Sequence, residues 1–288
     1  MKKIFISILL SILSSTNIYG ISINEIRFHN NTTDSTNITN ILKNAHKINL
    51  SSPNERIGHI ARLFIGIPYV AQTLEHTPEM LTINIDELDC TTFVETVIAL
   101  AYTIGENRTS WQDFAHNLER IRYRNGKLDG YSSRLHYISD WITNNSFRGN
   151  ITEVTDRFPE VNYTIKTLDF MTSNRDKYNA LANDSTFNQM KGFEIGYHNH
   201  RFPFIKSSSL NKKETRKLLK DGDIIALTTS LNGLDVSHMG IIAIVSGEPH
   251  LMHASMKEMK VIIDPLPLHK YLSGKNKLTG IRVIRLNE

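Results

Sequence analysis

The spacing of hydrophobic residues changes from one part of the chain to the next. From Glu55 onward, apolar side chains recur at steps of three and four residues, at Ile57, Ile60, Ala61 and Phe64. This spacing places them on one face of a helix, and Gly66 is suited to end that helix. The pattern therefore predicts a helix that ends before Gly66.

Three more helices are predicted between residues 90 and 145. One begins near Cys90 and carries the apolar positions Phe93, Val97, Ile98 and Ala101 on one face. The other two cover residues 110–121 and 133–145. Residues 150–215 mix helical and irregular patterns, and no definite structure is assigned to them.

Beyond Asp221 the pattern becomes that of a sheet. Short runs rich in isoleucine and valine alternate with turn residues, which predicts strands joined as a meander. Helices followed by antiparallel strands indicate an α+β fold with helices packed on one sheet. We expect one domain over residues 51–288, in which residues 100–215 form a large helical insert. The predicted strands cover residues 223–227, 238–245, 250–255, 260–264 and 280–286.

The N-terminal segment has the layout of a secretory signal. Lys2 and Lys3 precede an apolar run over residues 4–13, and small polar residues lead to Gly20. The run is shorter than the roughly 20 residues that a membrane helix needs. We expect residues 1–20 to be a signal peptide and the protein to be exported, periplasmic or secreted, with no membrane association after cleavage. Residues 21–50 are expected to be a polar lead-in with little to bury.

The charge balance and the cysteine content narrow the range of possible functions. The chain has 33 lysines and arginines against 29 acidic residues, which is not the strongly basic footprint of a nucleic-acid-binding protein. Cys90 is the single cysteine of the 288 residues. In an oxidising compartment a lone cysteine is an inert buried thiol, an intermolecular bridge or a reactive group.

The position of Cys90 favours a reactive group. If Asp89 caps the helix, Cys90 is its first residue, where the helix dipole and free N–H groups lower a thiol pKa. Its backbone N–H is also a candidate donor to an oxyanion. The alternative is a small hydrophobe packed beneath the start of the helix.

Two histidines are placed to serve such a thiol. His238 opens one apolar strand, and His253 lies on the next strand beyond a short turn. A hairpin of this length brings the two within about two residues of register, so that one acts as base and the other orients it. The alternative is that the two strand histidines are unrelated.

Metal chemistry is the competing hypothesis. His198 and His200 have His-x-His spacing, and His76 and His136 are further candidates. No tight zinc-ligand motif is present, so we expect neither a metal nor another cofactor.

Six segments occur in an order that is similar to a known family. They are FIGIPYVAQTLE, DELDCTTFVETVIALA, RYRNGKLDGYSSRLHYISDWI, LKDGDIIAL, GLDVSHMGI and MHAS. Together they resemble the N-acetylmuramoyl-L-alanine amidase-like family, related to the NlpC-type papain-like cell-wall cysteine hydrolases. The resemblance runs from about residue 55 to the C-terminus.

The resemblance implies a papain-like (NlpC-type) fold and a triad of Cys90, His238 and His253. It places Tyr69 near the nucleophile, as a candidate for contact with the oxyanion or the substrate. Asp89 either binds a substrate amine or only caps the helix. One departure is that Thr91 follows the cysteine where many NlpC-type peptidases have serine.

Arg134, His136 and Tyr137 fall in a matched segment and are candidates for contacting sugar or stem peptide, unless they form a structural cluster. The expected function is an exported cysteine amidase that acts on peptidoglycan or muropeptides at the N-acetylmuramoyl-L-alanine bond. Three alternatives remain open: a γ-D-glutamyl–diamino acid endopeptidase, a non-catalytic cell-wall binding module, and an exported effector that cleaves an amide in a host protein or in a competitor's wall.

Overall fold

The computed structural model describes residues 26–30 and 33–288. The predicted signal peptide lies outside these residues. No helix within the described part is long and apolar enough to cross a membrane.

The helices gather mainly in the first two-thirds of the chain. Ser52 caps α2 by accepting a hydrogen bond from the Glu55 N–H, and the Glu55 side chain binds back to the Ser52 N–H. α5 begins five residues later than predicted, because the backbone of Arg134 is extended and bridges to Tyr123. The helices are α1 Asp34–Ala45, α2 Pro53–Leu63, α3 Cys90–Gly105, α4 Trp111–Arg122, α5 Ile138–Phe147, α6 Phe170–Ser173, α7 Asp184–Ile195, α8 Lys213–Lys217 and α9 Leu268–Leu272.

The strands form one large antiparallel sheet and one small parallel pair. The pair joins β1 to β2, and the eight-stranded sheet has the order β4-β5-β10-β6-β7-β8-β9, with β3 also paired to β10. The strands are β1 Ile26–Phe28, β2 Leu81–Ile83, β3 Ile151–Glu153, β4 Val161–Lys166, β5 His200–Lys206, β6 Ile224–Thr229, β7 Val236–Val245, β8 Glu248–Ser255, β9 Lys260–Pro267 and β10 Leu278–Leu286.

The meander prediction is confirmed for β6 to β9 and is wrong for β10. The last strand returns to the far side of β6 and pairs there in antiparallel fashion. It lies beside β5, a strand from the region left unassigned. Strands so distant in sequence are not joined by a short turn, so the sequence pattern could not predict which strands β10 pairs with.

Two further predictions about the first half of the chain need correction. The insert at residues 100–215 is not only helical, because β3, β4 and β5 add to the main sheet. Within the polar lead-in at residues 21–50, α1 buries Ile38, Leu42 and Ala45 against the core. These three apolar residues lie at helical spacing within a polar run, so they bury one face of α1.

The centre of the core is α3. Every residue from Thr92 to Ile104 is buried, so this helix is enclosed on all sides by α2, α4 and the strands β7 and β8. A charged residue on it needs a partner. Glu95 finds one in Arg122 of α4, whose Nε lies 2.6 Å from Glu95 Oε2. The residue that begins α3 is consequently held by a rigid, buried element.

Candidate active site

Cys90 is the first residue of α3, as the sequence predicted. Asp89 Oδ1 accepts hydrogen bonds from the N–H groups of Thr91 at 3.0 Å and Thr92 at 2.8 Å. The Thr92 hydroxyl in turn accepts the Asp89 N–H at 2.8 Å. This reciprocal cap fixes where the helix starts and leaves Cys90, a half-buried residue, at its N-terminal end.

The predicted histidine pair is present. Ile241 of β7 pairs with Met252 of β8, which places His253 opposite Gly240 on the neighbouring position. His238 Nε2 and His253 Nδ1 lie 2.7 Å apart, with the two rings nearly perpendicular at 88°. A side chain at residue 240 has no room, since a Cβ there would lie 2.8 Å from the Met252 carbonyl oxygen and 3.1 Å from His253 Cβ.

Strand β7 also contacts the thiol directly. The backbone N–H of Met239, the residue after His238, donates a hydrogen bond to the sulfur of Cys90. The Thr91 hydroxyl lies 3.9 Å from the same sulfur. The thiol therefore lies against strand β7, next to the residue that follows His238, where α3 packs on β7 and β8.

The predicted lowering of the Cys90 pKa is wrong. Burial raises the pKa of the thiol to about 11, and the negative charge of Asp89 adds to the effect. Hydrogen bonds from Met239, Thr91 and the N–H of Cys90 itself oppose this rise without cancelling it. The sequence argument counted the helix dipole but not the loss of water around the sulfur.

Both histidines are neutral at ordinary pH. Burial lowers the pKa of His238 to about 4, helped by the charge of Lys275. Burial also lowers the pKa of His253 to about 3, with further contributions from His238 and Lys275. Between about pH 4 and pH 11, the resting site therefore holds a neutral thiol and two neutral imidazoles.

The hydrogen bond between the rings determines which nitrogen is free. When His238 Nε2 donates to His253 Nδ1, the lone pair on His238 Nδ1 is available to accept a proton. His253 then carries its own proton on Nε2, a buried atom with no hydrogen-bond partner among the described residues. This arrangement is the one that a base and its orienting residue require.

Tyr69 lies near enough to Cys90 for their charges to interact. Its turn is attached to the segment before α3, because Leu88 N–H donates to Pro68 O at 3.0 Å and Val70 N–H donates to Leu88 O at 3.3 Å. Burial, then the charges of Cys90 and Asp89, raise the pKa of the Tyr69 hydroxyl. The phenol therefore stays protonated and able to donate a hydrogen bond.

A cavity of about 190 Å³ opens next to the start of α3. Arg134 lines it and is held by Glu75, which accepts from its Nη2 at 2.9 Å, and by Glu79, whose carboxylate lies 3.0 Å from its Nε. His136 lines it as well, with its Nε2 2.9 Å from Tyr131 O and its pKa held well below the usual range by burial. The remaining lining residues are Gln72, Leu74, Asp89, Thr91, Thr92, Glu95 and Leu135.

Tyr137 does not reach this cavity. It is buried in a separate apolar cluster, where its hydroxyl donates to Glu194 at 2.6 Å and accepts from the Met171 N–H at 2.8 Å. Of the matched segment Arg134 to Tyr137, only the first part faces the candidate site, and Tyr137 has a structural role.

The histidines of the metal hypothesis are scattered. His76 and His198 line two other cavities, and His200 packs against Tyr197. Across residues 26–30 and 33–288, no group of three or more histidine, cysteine or acidic side chains is arranged to hold a metal ion.

Three residues near the site were not predicted. Tyr271 of α9 packs its ring 5.6 Å from that of His253, and Lys275 follows it in the chain. Both come from a segment distant in sequence, which offered no motif. Glu95 at the cavity wall did carry a signal, since it is the charged residue in the apolar stretch of α3.

The chain is similar to one known protein family and to several solved structures. A family model described as N-acetylmuramoyl-L-alanine amidase-like matches residues 59–281. An N-acetylmuramoyl-L-alanine amidase from Bacteroides uniformis is 39% identical, with 82% of this chain and 99% of that one covered and a TM-score of 0.77. A Bacteroides fragilis protein that carries the provisional name of xylanase is 42% identical, with 79% and 100% covered and a TM-score of 0.75.

A Legionella pneumophila protein shares the fold. It is 21% identical with a TM-score of 0.67, over 89% of this chain and 95% of that one. No curated protein matches the chain.

Proposed function

The chain belongs to the N-acetylmuramoyl-L-alanine amidase-like family, and from this we propose that it is an exported cysteine amidase that cleaves the bond between N-acetylmuramic acid and L-alanine in bacterial peptidoglycan. We propose further that its fold is a variant of the papain-like, NlpC-type fold. The observation that carries the proposal is an arrangement of three groups: Cys90 is the first residue of α3, His238 lies on the strand that packs against α3, and His253 Nδ1 lies 2.7 Å from His238 Nε2.

In the first step, the sulfur of Cys90 attacks the amide carbonyl carbon. Because the thiol and imidazole are neutral at rest, the S–H proton passes to His238 Nδ1 as the S–C bond forms. His253 orients the ring and stabilises the resulting imidazolium through the bond at Nε2. The carbonyl oxygen becomes an oxyanion.

The oxyanion is proposed to lie between the backbone N–H of Cys90 and the hydroxyl of Tyr69. Asp89 accepts hydrogen bonds from the N–H groups of Thr91 and Thr92, so the cap leaves the N–H of Cys90 available to the oxyanion. Donors preorganised in this way typically contribute two to three orders of magnitude in rate.

The acyl-enzyme then forms and breaks down. His238 gives its proton to the amine nitrogen, the C–N bond breaks, and the stem peptide leaves with a free N-terminus. A water molecule attacks the thioester while His238 accepts its proton, and the thiolate that departs is reprotonated. The products are a muramoyl carboxylate and a peptide amine.

Digestion of purified sacculi and defined muropeptides, with product identification by mass, tests the proposal. The expected products carry a free muramic acid carboxylate, whereas products cut after the γ-glutamyl residue would identify an endopeptidase instead. Cys90→Ala and His238→Ala should release no product above background. His253→Asn should retain more activity than His253→Ala, because an amide can still orient the imidazole.

His250→Gln is the matched control. His250 is also on β8, but its ring Nδ1 lies 2.8 Å from the carbonyl oxygen of Asp264 and away from the pair. Full activity of Cys90→Ala would refute the mechanism. Binding of the wild type to sacculi without any product would favour a non-catalytic cell-wall module, and cleavage confined to non-wall proteins would favour an effector.

A further inference from the structure

A lysine lies behind the histidine pair. Lys275 follows α9, and its Nζ lies 3.1 Å from the centre of the Tyr271 ring. The Tyr271 ring packs 5.6 Å from the ring of His253, at an angle of 73°. Lys275, Tyr271, His253 and His238 therefore form a continuous line of contacts that ends at the candidate base.

Within the described residues, Lys275 has no carboxylate at ion-pair distance. The carboxylate of Asp264 on β9 acts on Lys275 without forming a salt bridge to it, and the neighbouring Lys257 pairs with Glu258 at 3.3 Å. Partial desolvation lowers the pKa of Lys275, although the residue is exposed. By contrast, Lys212 pairs with Glu160 at 2.7 Å. An exposed ammonium that has no anion of its own is free to bind one from a ligand.

The proposed mechanism determines which part of the substrate lies on the side of Lys275. His238 delivers its proton to the leaving nitrogen, so the leaving group lies on the histidine side of the sulfur. For a muramoyl–L-alanine bond the leaving group is the stem peptide, which brings carboxylates with it. The acyl part, the sugar, lies on the other side, towards the cavity that Asp89 and Arg134 line.

The charges on the two sides fit this orientation. In the cavity beyond Asp89, Glu75 and Glu95 are each paired with an arginine, so the cavity offers no cation without a partner to a carboxylate, while its carboxylate oxygens can accept from sugar hydroxyls. On the histidine side, Lys275 is the cation whose charge acts on both His238 and His253, and the Tyr271 ring beneath it holds it in place.

We propose that Lys275, seated on the ring of Tyr271, is a specificity-determining residue that binds a carboxylate of the stem peptide on the leaving-group side of Cys90. This inference rests on the proposed amidase function. It assigns Tyr271 as the residue that positions the ammonium, and it makes the enzyme selective for an acidic stem over an amidated one.

The test uses two muramoyl peptides that differ only at the second stem residue, which ends in a free α-carboxylate in one and a carboxamide in the other. The wild type should cleave the carboxylate form with a kcat/KM about 3- to 10-fold higher, mainly through a lower KM, since an exposed charge pair contributes uniform binding. Lys275→Gln should bring the ratio to about 1, and Lys275→Glu should invert it. The preference of the wild type should fade as salt is added.

Lys277→Gln is the matched control, an exposed lysine two residues along the same segment, and it should keep the wild-type ratio. Tyr271→Leu should lose the preference while Tyr271→Phe keeps it. If Lys275→Gln retains the wild-type ratio, or if the wild type cleaves both peptides equally, the assignment of Lys275 is overturned and the amidase proposal stands. If the wild type cleaves neither peptide, the amidase proposal fails and takes the assignment with it.

Discussion

Cys90 should react slowly with alkylating reagents at neutral pH. Its pKa of about 11 means that roughly one molecule in 10⁴ carries a thiolate at pH 7, against a few in 100 for an ordinary cysteine. Since the thiolate is the species that reacts, alkylation should be about two orders of magnitude slower than for an exposed thiol. The rate should rise about tenfold for each pH unit, up to about pH 11.

The assay is direct because the chain has one cysteine. Iodoacetamide adds a fixed mass to the intact protein, and the rate of that addition is followed from pH 6 to pH 10. Unfolding the protein in denaturant gives the rate of the same thiol without its surroundings. A folded rate that levels off below pH 8 would refute the neutral resting state and restore the prediction of an activated thiolate.

Replacing Asp89 by Asn removes one of the two causes of the raised Cys90 pKa, the negative charge beside the thiol. Asparagine caps a helix about as well as aspartate, so α3 should keep its start. A charge within about 4–6 Å typically shifts a pKa by about one unit or more, and one unit changes the thiolate fraction tenfold. Asp89→Asn should therefore alkylate about tenfold faster at pH 7, whereas Asp86→Asn should leave the rate unchanged. An unchanged Asp89→Asn rate would show that burial alone sets the pKa.

Three further outcomes are expected. Gly240→Ala should separate the two histidine rings and lower kcat by at least about 100-fold, because the new methyl group collides with the Met252 carbonyl; circular dichroism should show the fold retained. Arg122→Met should destabilise the protein by about 3–5 kcal/mol in urea unfolding, since it strands the buried carboxylate of Glu95. Lys166→Met should cost about 1–3 kcal/mol in the same urea unfolding, because the Lys166 ammonium donates to three backbone carbonyls, one at the end of β6 and two in the loop that leads into β7, at 2.6–2.7 Å.

The features that the sequence predicted are those that short segments determine. The start of α3 follows from Asp89 and its neighbours alone, and the β7–β8 hairpin follows from a short turn between two apolar runs. Together they predict that His238 and His253 meet. The contact of this pair with the end of α3 is tertiary, and it was anticipated only through the resemblance to a family.

The features that the sequence did not predict depend on distant pairing or on burial. β10 inserts between β5 and β6, and no local pattern records which strand it joins. Tyr271 and Lys275 reach the site only because α9 folds back against β8. The prediction of a lowered Cys90 pKa was wrong for a related reason. The start of α3 can be identified from the sequence, but the burial of that helix on all sides cannot.

The burial of α3 on all sides also affects how the thiol is activated. A helix buried from Thr92 to Ile104 holds its first residue rigidly, but it also removes the water that would stabilise a thiolate. The groups that offset this loss are the N–H of Met239, the Thr91 hydroxyl and the N–H of Cys90 itself. The last of these is also the proposed oxyanion donor, so negative charge moves from sulfur to carbonyl oxygen within one set of donors as the bond forms. A site of this kind has no need of a standing thiolate, because the charge is stabilised at the moment when the substrate receives it.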